Sequence, residues 1–508
     1  MFKSLRNIIN SLENSKVPFI YFILTFIFVV SLRNFIETFS DTDTSQISFA
    51  EFFHYDISYI ALAMVIIILL YFFIKKDVLK ITKIVLTSFL ILLIVPIIDL
   101  IWSFGKGLNM AYILPGYHSN LIIRFFTFFG NFSKLGITPG IKIEVALVLV
   151  GSFIYFYVSN HNLFKSLFYT LVTYTTIFFY LAAPFLVKGL LEIFGLTYKY
   201  SDSLMTNFFL LVILFAGIFI AYILNKRYFK LIIRDIRPFR LLHFELMFLL
   251  GFIIGLNKFG TFVLDSANIF SFIFIPAGIA FAWLYSVITN NIVDYDIDKI
   301  SNNNRPLIKS KINKIAYYKL SWIILFIALF YPLMVSFKAF FMVLLFVGNY
   351  FLYSMPPLRL KRIPLFSKMI IAFNSLILVM LGFIISTGKL EEFPAILIAF
   401  FLIFFTIAIN FIDIKDYEGD KKAGIKTLPV ILGLKKSKFI IGIFFLLTYL
   451  AVYFLINNLY LIPVLFIFGI TEFLLISRKN YNEKPVFFVY LLTLFLVIIY
   501  LITSKIII

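Results

Sequence analysis

Apolar residues along this chain form continuous runs of roughly 20 residues, separated by short polar or charged loops. A run of that length spans the hydrocarbon core of a bilayer as an α-helix, whereas a membrane β-barrel would show apolar and polar residues in alternation. The pattern therefore predicts an all-α polytopic membrane protein with about 15 transmembrane helices. The predicted spans are roughly 17–36, 57–74, 81–102, 141–158, 163–187, 207–225, 242–257, 266–289, 315–334, 338–353, 368–387, 393–412, 438–456, 459–476 and 485–503.

A basic, amphipathic stretch, NKRYFKLIIRDIRPFR over 225–240, interrupts the series after the sixth span. A segment of this kind suits a linker that lies on the cytoplasmic face of the membrane. We therefore expect an N-terminal membrane domain of about six helices over 1–230. No motif in those six spans indicates a function. The nine spans that follow would form a second domain.

The composition agrees with a membrane protein: 62% of the 508 residues are hydrophobic, only 14% are charged, and the mean hydropathy is +1.02. The net charge of +20 lies in short loops between spans, so it indicates membrane orientation and not nucleic-acid binding. The absence of cysteine excludes disulfides and thiolate chemistry. His54, His118, His161 and His243 are scattered and lack the spacing of zinc ligands.

The charges of the loops predict an orientation. Basic loops fall on one side if the N-terminus is cytoplasmic, while the acidic loop 37–51 and the short loop 388–392 fall outside. This places the C-terminus outside the cytoplasm. The polar stretch MFKSLRNIINSLENSK leads directly into the first span, which predicts no cleaved signal peptide. The long loop 103–140 is basic yet would lie outside, and FFTFFG within it suggests an interfacial or re-entrant segment.

An acidic stretch, NNIVDYDID, follows the span that ends near residue 289. Asn290, Asp294 and Asp298 stand at i, i+4 and i+8, so they share one face of a helix, and Asp296 points elsewhere. A ladder of like charges destabilises a helix unless something neutralises it. A basic loop comes next in the chain.

A second acidic stretch, DIKDYEGD, follows a later span on the same predicted side. Asp413, Asp416 and Asp420 stand at i, i+3 and i+7, again on one helical face, and a basic loop follows. Two carboxylate ladders facing one cavity call for divalent cations, and carboxylate and amide oxygens suit Mg²⁺. The alternative is a set of solvated acids near helix ends. The matched spacing favours a Mg²⁺–diphosphate site at the membrane–cytosol boundary.

Four motifs in order resemble the UbiA-type intramembrane prenyltransferases. They are Asn290-x₃-Asp294-x₃-Asp298, Asn304-Arg305-Pro306-Leu307, the stretch YSMPPLRLK over 353–361, and Asp413-x₂-Asp416-x₃-Asp420 with Gly424, Thr427, Leu428 and Pro429. The resemblance covers about 235–508. It implies nine helices around a central cavity, and transfer of a prenyl group from an isoprenyl diphosphate to an acceptor within the membrane.

The resemblance also implies roles for residues. Asn290, Asp294 and Asp298 would bind one Mg²⁺, and Asp413, Asp416 and Asp420 the other, with these five aspartates as the catalytic set. Arg305, Arg359, Lys361 and Lys421 would bind the diphosphate, and Tyr353 would line the site. The common first motif has Asp directly after the Asn, whereas this chain has Asn291. One carboxylate is therefore missing, and Asp296 is the nearest candidate to compensate.

The acceptor is left open by the sequence. DYDIDKISNNNRPL and DYEGDKKAGIKTLPVILG look most like the branch that makes archaeal glycerol-phosphate ether lipids, while YSMPPLRLK looks more like the chlorophyll and quinone branch. Both a lipid-type and an aromatic, quinone-precursor acceptor remain candidates. A transporter or lipid scaffold is a further alternative, although neither needs two acidic ladders. A membrane terpene cyclase would share the ladders and need no acceptor.

Overall fold

The computed structural model describes residues 2–40, 49–108, 112–115, 120–130, 136–260, 262–301, 305–309, 313–422 and 424–505. The chain divides into two compact units. The first comprises Met1–Phe229 with Asp265–Phe270, and the second Lys230–Leu264 with Ser271–Ile508. In both units the described residues are mainly helices joined by short loops.

The first unit contains ten α-helices in its described part. They are α1 (Phe2–Glu13), α2 (Phe19–Ser40), α3 (Phe49–Ile74), α4 (Val78–Ser88), α5 (Ile94–Trp102), α6 (Leu121–Phe126), α7 (Pro139–Asn160), α8 (Leu163–Leu181), α9 (Ala183–Ile193) and α10 (Asp202–Leu224). A 3₁₀ segment, Phe89–Leu93, joins α4 to α5 into one apolar span. The amphipathic α11 (Lys226–Asp235) then leads into the second unit.

The predicted span 163–187 is bent where α8 meets α9, by 69°. Pro184 occupies the first turn of α9. Its ring lacks an amide hydrogen and clashes with the carbonyl four residues earlier, so a straight helix cannot pass through it. Counting this bent pair as one span gives up to 15 candidate spans among the described residues, in agreement with the predicted number.

The second unit carries nine of these spans in its described residues. Its helices are α12 (Pro238–Phe259), α13 (Ser271–Val293), α14 (Tyr295–Ser301), α15 (Pro306–Lys309), α16 (Lys314–Val335), α17 (Phe337–Ser354), α18 (Phe366–Thr387), α19 (Ala395–Phe400), α20 (Thr406–Ala408), α21 (Tyr417–Lys422), α22 (Leu428–Leu432), α23 (Leu434–Ile456), α24 (Ile462–Ser477) and α25 (Glu483–Ser504). The predicted number of nine spans is confirmed.

The spans that carry the acidic ladders are not regular α-helices near their ends. Helix α13 ends at Val293, and α14 begins two residues later at Tyr295. The later span runs from α19 through a π-helical turn (Phe401–Phe405) and α20 to a 3₁₀ turn (Ile409–Asp413). Such π turns are frequent at functional sites.

Helices α12 and α18 pack closely because glycines stand at their crossing. A Cβ atom on Gly251 would lie 1.8 Å from the Val379 carbonyl oxygen, and one on Gly382 would lie 2.0 Å from the Phe248 carbonyl oxygen. Small residues allow this approach where lipid gives no hydrophobic drive for helices to associate. Both helices of this closely packed pair contribute residues to the wall of the cavity described below.

We predict that Gly251→Ala lowers the thermal stability of the protein. The added methyl group must push α18 away from α12, and overpacking of this kind costs about 1–3 kcal/mol. Unfolding followed by tryptophan fluorescence in detergent measures the effect. Gly348→Ala on α17 is the matched control, because a Cβ there would meet nothing within 4 Å. Equal melting temperatures for the two variants would show that the crossing is loose.

Candidate functional site

A large cavity, of about 1110 Å³, lies within the second unit. Its head is polar and includes five of the six residues of the two acidic ladders, all except Asp298. Its deep end is apolar and is closed by Ile254, Leu397, Ile456 and Leu501, each at most 3% exposed. The four closing residues come from α12, α19, α23 and α25 and belong to one hydrophobic cluster. The cavity therefore combines a charged head with a long hydrocarbon-like interior.

The first acidic ladder, which consists of Asn290, Asp294 and Asp298, extends a face of α13 that lines the cavity. Trp283, Val287, Asn290 and Asp294 follow each other at spacings of three and four residues and all line the cavity. The Asp294 amide donates to the Asn290 carbonyl at 2.9 Å, and the Asp298 amide donates to the Asp294 carbonyl at 2.8 Å. The i, i+4, i+8 relationship therefore persists where α13 gives way to α14.

Basic side chains from the YSMPPLRLK segment reach the first ladder. Arg359 Nη2 lies 2.5 Å from Asp294 Oδ1, and Lys361 Nζ donates to Asp294 Oδ2. Lys361 Nζ also donates to Asn290 Oδ1 at 3.0 Å, and Ser354 Oγ donates to the same atom at 3.0 Å. Arg359 has a φ of +43°, in the left-handed region that non-glycine residues rarely adopt. The backbone is thus held in an uncommon conformation where it directs a guanidinium at Asp294.

The second acidic ladder, which consists of Asp413, Asp416 and Asp420, forms an ion pair with one buried lysine. Lys368, from the first turn of α18, is 4% exposed, and its Nζ lies 2.6 Å from Asp413 Oδ1. The Asp416 amide donates to the Asp413 carbonyl at 3.1 Å, and the Asp420 amide donates to the Asp416 carbonyl at 2.9 Å. Asp416 and Asp420 have no ion pair in the part of the chain that the structure describes. Two carboxylates of this ladder therefore remain uncompensated.

The carboxylates of the two ladders lie close enough to affect each other's pKa values. Burial, and then the charge of Asp294, raises the pKa of Asp298 to about 6, and Asp416 contributes to this shift. Burial, and then the charges of Asp413 and Asp416, raises the pKa of Asp420 to about 6. Burial also raises the pKa of Asp416 and lowers that of Lys361. The carboxylates repel one another, so a cation is favoured between them.

Not all predicted residues reach the cavity wall. Asp298 is 6% exposed and lies behind Arg305, whose Nε is 3.4 Å from Asp298 Oδ2. Lys421 is exposed, with its ammonium 5.8 Å from the Tyr417 ring centre, and it does not line the cavity. The side chain of Asp296 is 88% exposed and pairs with Lys299 at 3.5 Å, so it does not replace the missing carboxylate. Asn304 of the second motif lies outside the described residues.

The remaining predicted contacts lie in the cavity wall. Tyr353 lines the cavity, with its ring centre 6.1 Å from that of Tyr350 in an edge arrangement. Asp413, Asp416, Asp420, Arg305, Arg359 and Lys361 also line it. The structure thus brings five of the six ladder residues and four of the five predicted substrate-binding residues to one cavity.

Asp235, at the end of α11, is a buried acid that the sequence analysis did not select. It is 3% exposed, and its carboxylate accepts hydrogen bonds from Asn291 Nδ2 at 3.1 Å and from the Tyr317 hydroxyl. Asn291 Oδ1 in turn accepts from Arg305 at 2.9 Å. Burial raises the pKa of Asp235, since the hydrogen bonds only partly offset the lost hydration.

This network gives a physical reason for Asn291. A carboxylate at position 291 would stand against the carboxylate of Asp235 in a buried place, whereas an amide donates to Asp235 and accepts from Arg305 at the same time. Arg305 is thereby held between Asn291 and Asp298. The carboxylate of this network is supplied by Asp235 of α11.

Lys368 was also missed, although a lysine at the start of an apolar span was a visible signal. Asp235 gave a weaker signal, because it is one acid within a basic linker. The pairing of Asp235 with a residue 56 positions later cannot be read from local spacing.

The oxygen donors suit a hard divalent cation, but no cage is ready-made. No three acidic or histidine side chains converge on one point within the described ranges. Asp298 Oδ2 is buried and accepts no hydrogen bond in the described part, and its ion pair with Arg305 is long. Basic side chains occupy Asp294 and Asp413 instead. The carboxylate and amide set fits Mg²⁺, provided that the basic side chains turn toward an anion when it binds.

Comparison with known proteins supports the resemblance seen in the sequence. The profile of the UbiA prenyltransferase family matches residues 249–499. A digeranylgeranylglyceryl phosphate synthase from Thermococcus sibiricus is 30% identical over 222 residues, covering 44% of this chain and 75% of that protein. The same enzyme from Pyrococcus horikoshii is 32% identical over 162 residues, covering 32% of this chain and 57% of that protein. The match thus spans 57% of the length of the Pyrococcus enzyme and 75% of the length of the Thermococcus enzyme.

Among solved structures, a UbiA homologue from Archaeoglobus fulgidus bound to GPP and Mg²⁺ is similar to this chain, with a TM-score of 0.42 and 21% identity. The alignment covers 53% of this chain and 97% of the homologue.

We predict that Asn291→Asp destabilises the protein and that Asp235→Asn relieves the effect. The single change sets two buried carboxylates side by side, which leaves one of them unpaired and costs about 1–3 kcal/mol. The double variant still places one acid against one amide, with the acid now at position 291 and the amide at position 235. A double-mutant cycle of unfolding free energies measures the coupling. Additive effects of the two changes would mean that Asp235 and Asn291 do not interact.

Proposed function

The chain belongs to the UbiA prenyltransferase family, and from that premise we propose that it transfers a prenyl group from an isoprenyl diphosphate to a lipophilic or membrane-interface acceptor and releases diphosphate. The observation that carries the proposal is the cavity itself. Two acidic ladders with basic partners stand at the head of a deep apolar interior. An isoprenyl diphosphate has the same division between a polyanionic head and a hydrocarbon tail.

We propose that Asn290, Asp294 and Asp298 hold one Mg²⁺ and that Asp413, Asp416 and Asp420 hold another. When bound, Mg²⁺ would neutralise the diphosphate as a Lewis acid. The uncompensated Asp416 and Asp420 and the raised pKa values of Asp298 and Asp420 support this assignment.

Arg359, Lys361 and Lys368 are the proposed ligands of the diphosphate. Each now pairs with a ladder aspartate, so each is already placed at the cavity head. Turning from a carboxylate to a phosphate oxygen exchanges one charge-assisted hydrogen bond for another, at small cost. Asp294 and Asp413 would then be free to accept a cation. Lys421 is left out of this set because it lies outside the cavity wall.

The bond that breaks joins the prenyl C1 to the diphosphate oxygen, and the electron pair leaves with the diphosphate. The positive charge that develops on the allylic group lies next to aromatic side chains of the wall. Trp283 and Tyr350 have ring centres 5.6 Å apart, and the Trp283 indole donates to the Ile236 carbonyl at 2.5 Å, which fixes its orientation. Aromatic faces attract cations, and the dry cavity excludes water that would quench them.

The depth of the cavity limits the length of the prenyl chain that the donor can carry. Lys484 and Leu501 line its two ends on α25 and are 17 residues apart, which corresponds to about 26 Å of helix. The charged head takes up about one turn, or roughly 5 Å. One isoprene unit has four main-chain bonds and extends about 4.6 Å, scaled from about 3.4 Å for three backbone bonds. The remaining length of roughly 21 Å therefore has room for at least four isoprene units.

The acceptor class is left open here between a glycerol-phosphate type and an aromatic type. We also propose the orientation with the cavity head at the cytoplasmic surface, which the basic loops support. A transporter would not need two carboxylate ladders at one end of a closed interior. A terpene cyclase would consume the donor without any acceptor, and its product would reveal it.

We predict that purified protein consumes geranylgeranyl diphosphate only when Mg²⁺ and an acceptor are both present. Asp294→Ala and Asp416→Ala should each lower turnover at least a hundredfold, because each removes a carboxylate from a different ladder. A radiolabelled donor and separation of prenylated products measure this.

Asp296→Ala is the matched control for these two variants, since this aspartate is exposed and lies off the ladder face. It should retain wild-type turnover. Folded wild-type protein that neither binds nor consumes any prenyl diphosphate would contradict the proposal and favour the transporter or scaffold.

We predict that Val497→Phe shortens the donor chain that the protein accepts. Val497 lines the cavity one turn above Leu501, and the larger ring displaces the terminal isoprene unit. Losing the burial of even two methylene groups costs about 1.6 kcal/mol, so kcat/KM for geranylgeranyl relative to geranyl diphosphate should fall tenfold or more. Leu496→Phe is the control, because Leu496 is 41% exposed and points away from the cavity. An unchanged ratio in Val497→Phe would show that this end of the cavity does not limit the length of the donor chain.

A further inference from the structure

The cavity wall has more positive than negative side chains. Among the described residues it carries ten Lys and Arg side chains and six Asp and Glu side chains, so it offers more charge than the acids can balance. Five of the basic side chains form ion pairs with ladder aspartates or, for Lys415, with Glu483. The other five have no ion pair in the ranges that the structure describes. The surplus is available to an anion.

Three of these unpaired residues form one group, which we call the arginine corner: Arg234, Arg237 and Arg240. They follow at three-residue spacing across the junction where α11 ends and α12 begins. The N-terminus of the 22-residue α12 adds partial positive charge at the same place. Arg240 and Asp416 line the same cavity, and the charge of Arg240 partly offsets the burial that raises the pKa of Asp416.

Arg237 has two features that a membrane anchor does not explain. Its Nη2 atom is buried and makes no hydrogen bond in the described part of the chain. Its backbone has a φ of +53°, in the left-handed region. A buried N–H without an acceptor costs about 1–3 kcal/mol, and a residue that only anchors the membrane surface would leave its guanidinium in water or among head groups. The side chain is instead part of the cavity wall.

We propose that the arginine corner binds a phosphate group carried by the acceptor. This inference rests on the proposed prenyl transfer and assigns the acceptor to the phosphate monoesters that have a free hydroxyl. Guanidinium groups bind phosphate through paired hydrogen bonds. The donor diphosphate already has its own basic partners at the head of the cavity, namely Arg359, Lys361 and Lys368. A second set of cations beside them suits a second, separate anion.

The corresponding reaction is balanced. The acceptor hydroxyl oxygen forms a bond to the prenyl C1 as the bond from C1 to the diphosphate oxygen breaks. The electron pair of the broken bond leaves with the diphosphate, which also takes up the hydroxyl proton. The acceptor phosphate is not consumed, so its contact with the corner serves only to place the hydroxyl at C1.

Equilibrium binding tests the corner independently of turnover. The protein is placed in phosphatidylcholine nanodiscs, which contain no anionic lipid to compete. The probes are geranylgeranylglyceryl phosphate, the same ether alcohol without phosphate, inorganic phosphate and geranylgeranyl diphosphate. The variants are Arg237→Gln, Arg240→Gln and the conservative Arg237→Lys. Lys230→Gln is the matched control, because Lys230 lies on α11, is exposed and does not line the cavity.

We expect wild-type protein and Lys230→Gln to bind the ether phosphate at least tenfold more tightly than the ether alcohol. Arg237→Gln and Arg240→Gln should lose this preference and keep the wild-type affinity for geranylgeranyl diphosphate, which also shows that they are folded. Arg237→Lys should keep part of the preference, and it decides the question if the Gln variant does not fold.

Three results would overturn the inference. They are equal affinity of wild-type protein for the two ethers, an equal loss of donor affinity in the arginine variants, and inorganic phosphate that binds as tightly as the ether phosphate. Failure of the proposed function would look different. In that case the protein would not consume the donor in the presence of either ether, whatever the binding data show.

Discussion

The neutralisation of carboxylates at the head of an apolar cavity is the constraint on which the second unit depends. Asp294 and Asp413 are carried to that position by long apolar helices, where hydration is reduced and a bare charge is costly. Arg359, Lys361 and Lys368 meet them there. These ion pairs tie the segment after α17 and the start of α18 to the two acidic ladders, so that the walls of the cavity head are held together by charge.

The same neutralisation is only partial, and this gives the site its chemistry. Asp416 and Asp420 lack ion pairs in the described part, and the pKa values of Asp298 and Asp420 are raised to about 6. In the proposed function, the basic residues that pair with these carboxylates would turn to the diphosphate, and the carboxylates would then bind a cation. The arginine corner is a second group of positive charges, and its arginines form no ion pair in the described part of the chain. One end of the cavity thus holds two sets of charges, and the other end holds only hydrocarbon-like side chains.

Much of this arrangement follows from local periodicity. Apolar runs predicted the spans, and the spacing of Asn290, Asp294 and Asp298 predicted a shared face that persists across a change of helix. What the sequence did not reveal depends on contacts between distant elements. Asp235 pairs with Asn291 across 56 positions, and Lys368 meets Asp413 across 45. The π turn before Asp413 and the outward position of Lys421 depend likewise on packing, which no local pattern records. The bend at Pro184 was not predicted within the span 163–187, although a proline cannot continue a straight helix.

The central claim is that the two ladders jointly bind divalent cations and a prenyl diphosphate. A structure of the protein with Mn²⁺ and a non-hydrolysable thio analogue of geranylgeranyl diphosphate, with Mn²⁺ located by anomalous scattering, tests it most directly. The account predicts Mn²⁺ at both ladders, bridged by the diphosphate, with Arg359, Lys361 and Lys368 turned from their aspartates to phosphate oxygens. A bound analogue with its diphosphate elsewhere, or with all three ion pairs intact and no Mn²⁺ at either ladder, would contradict it.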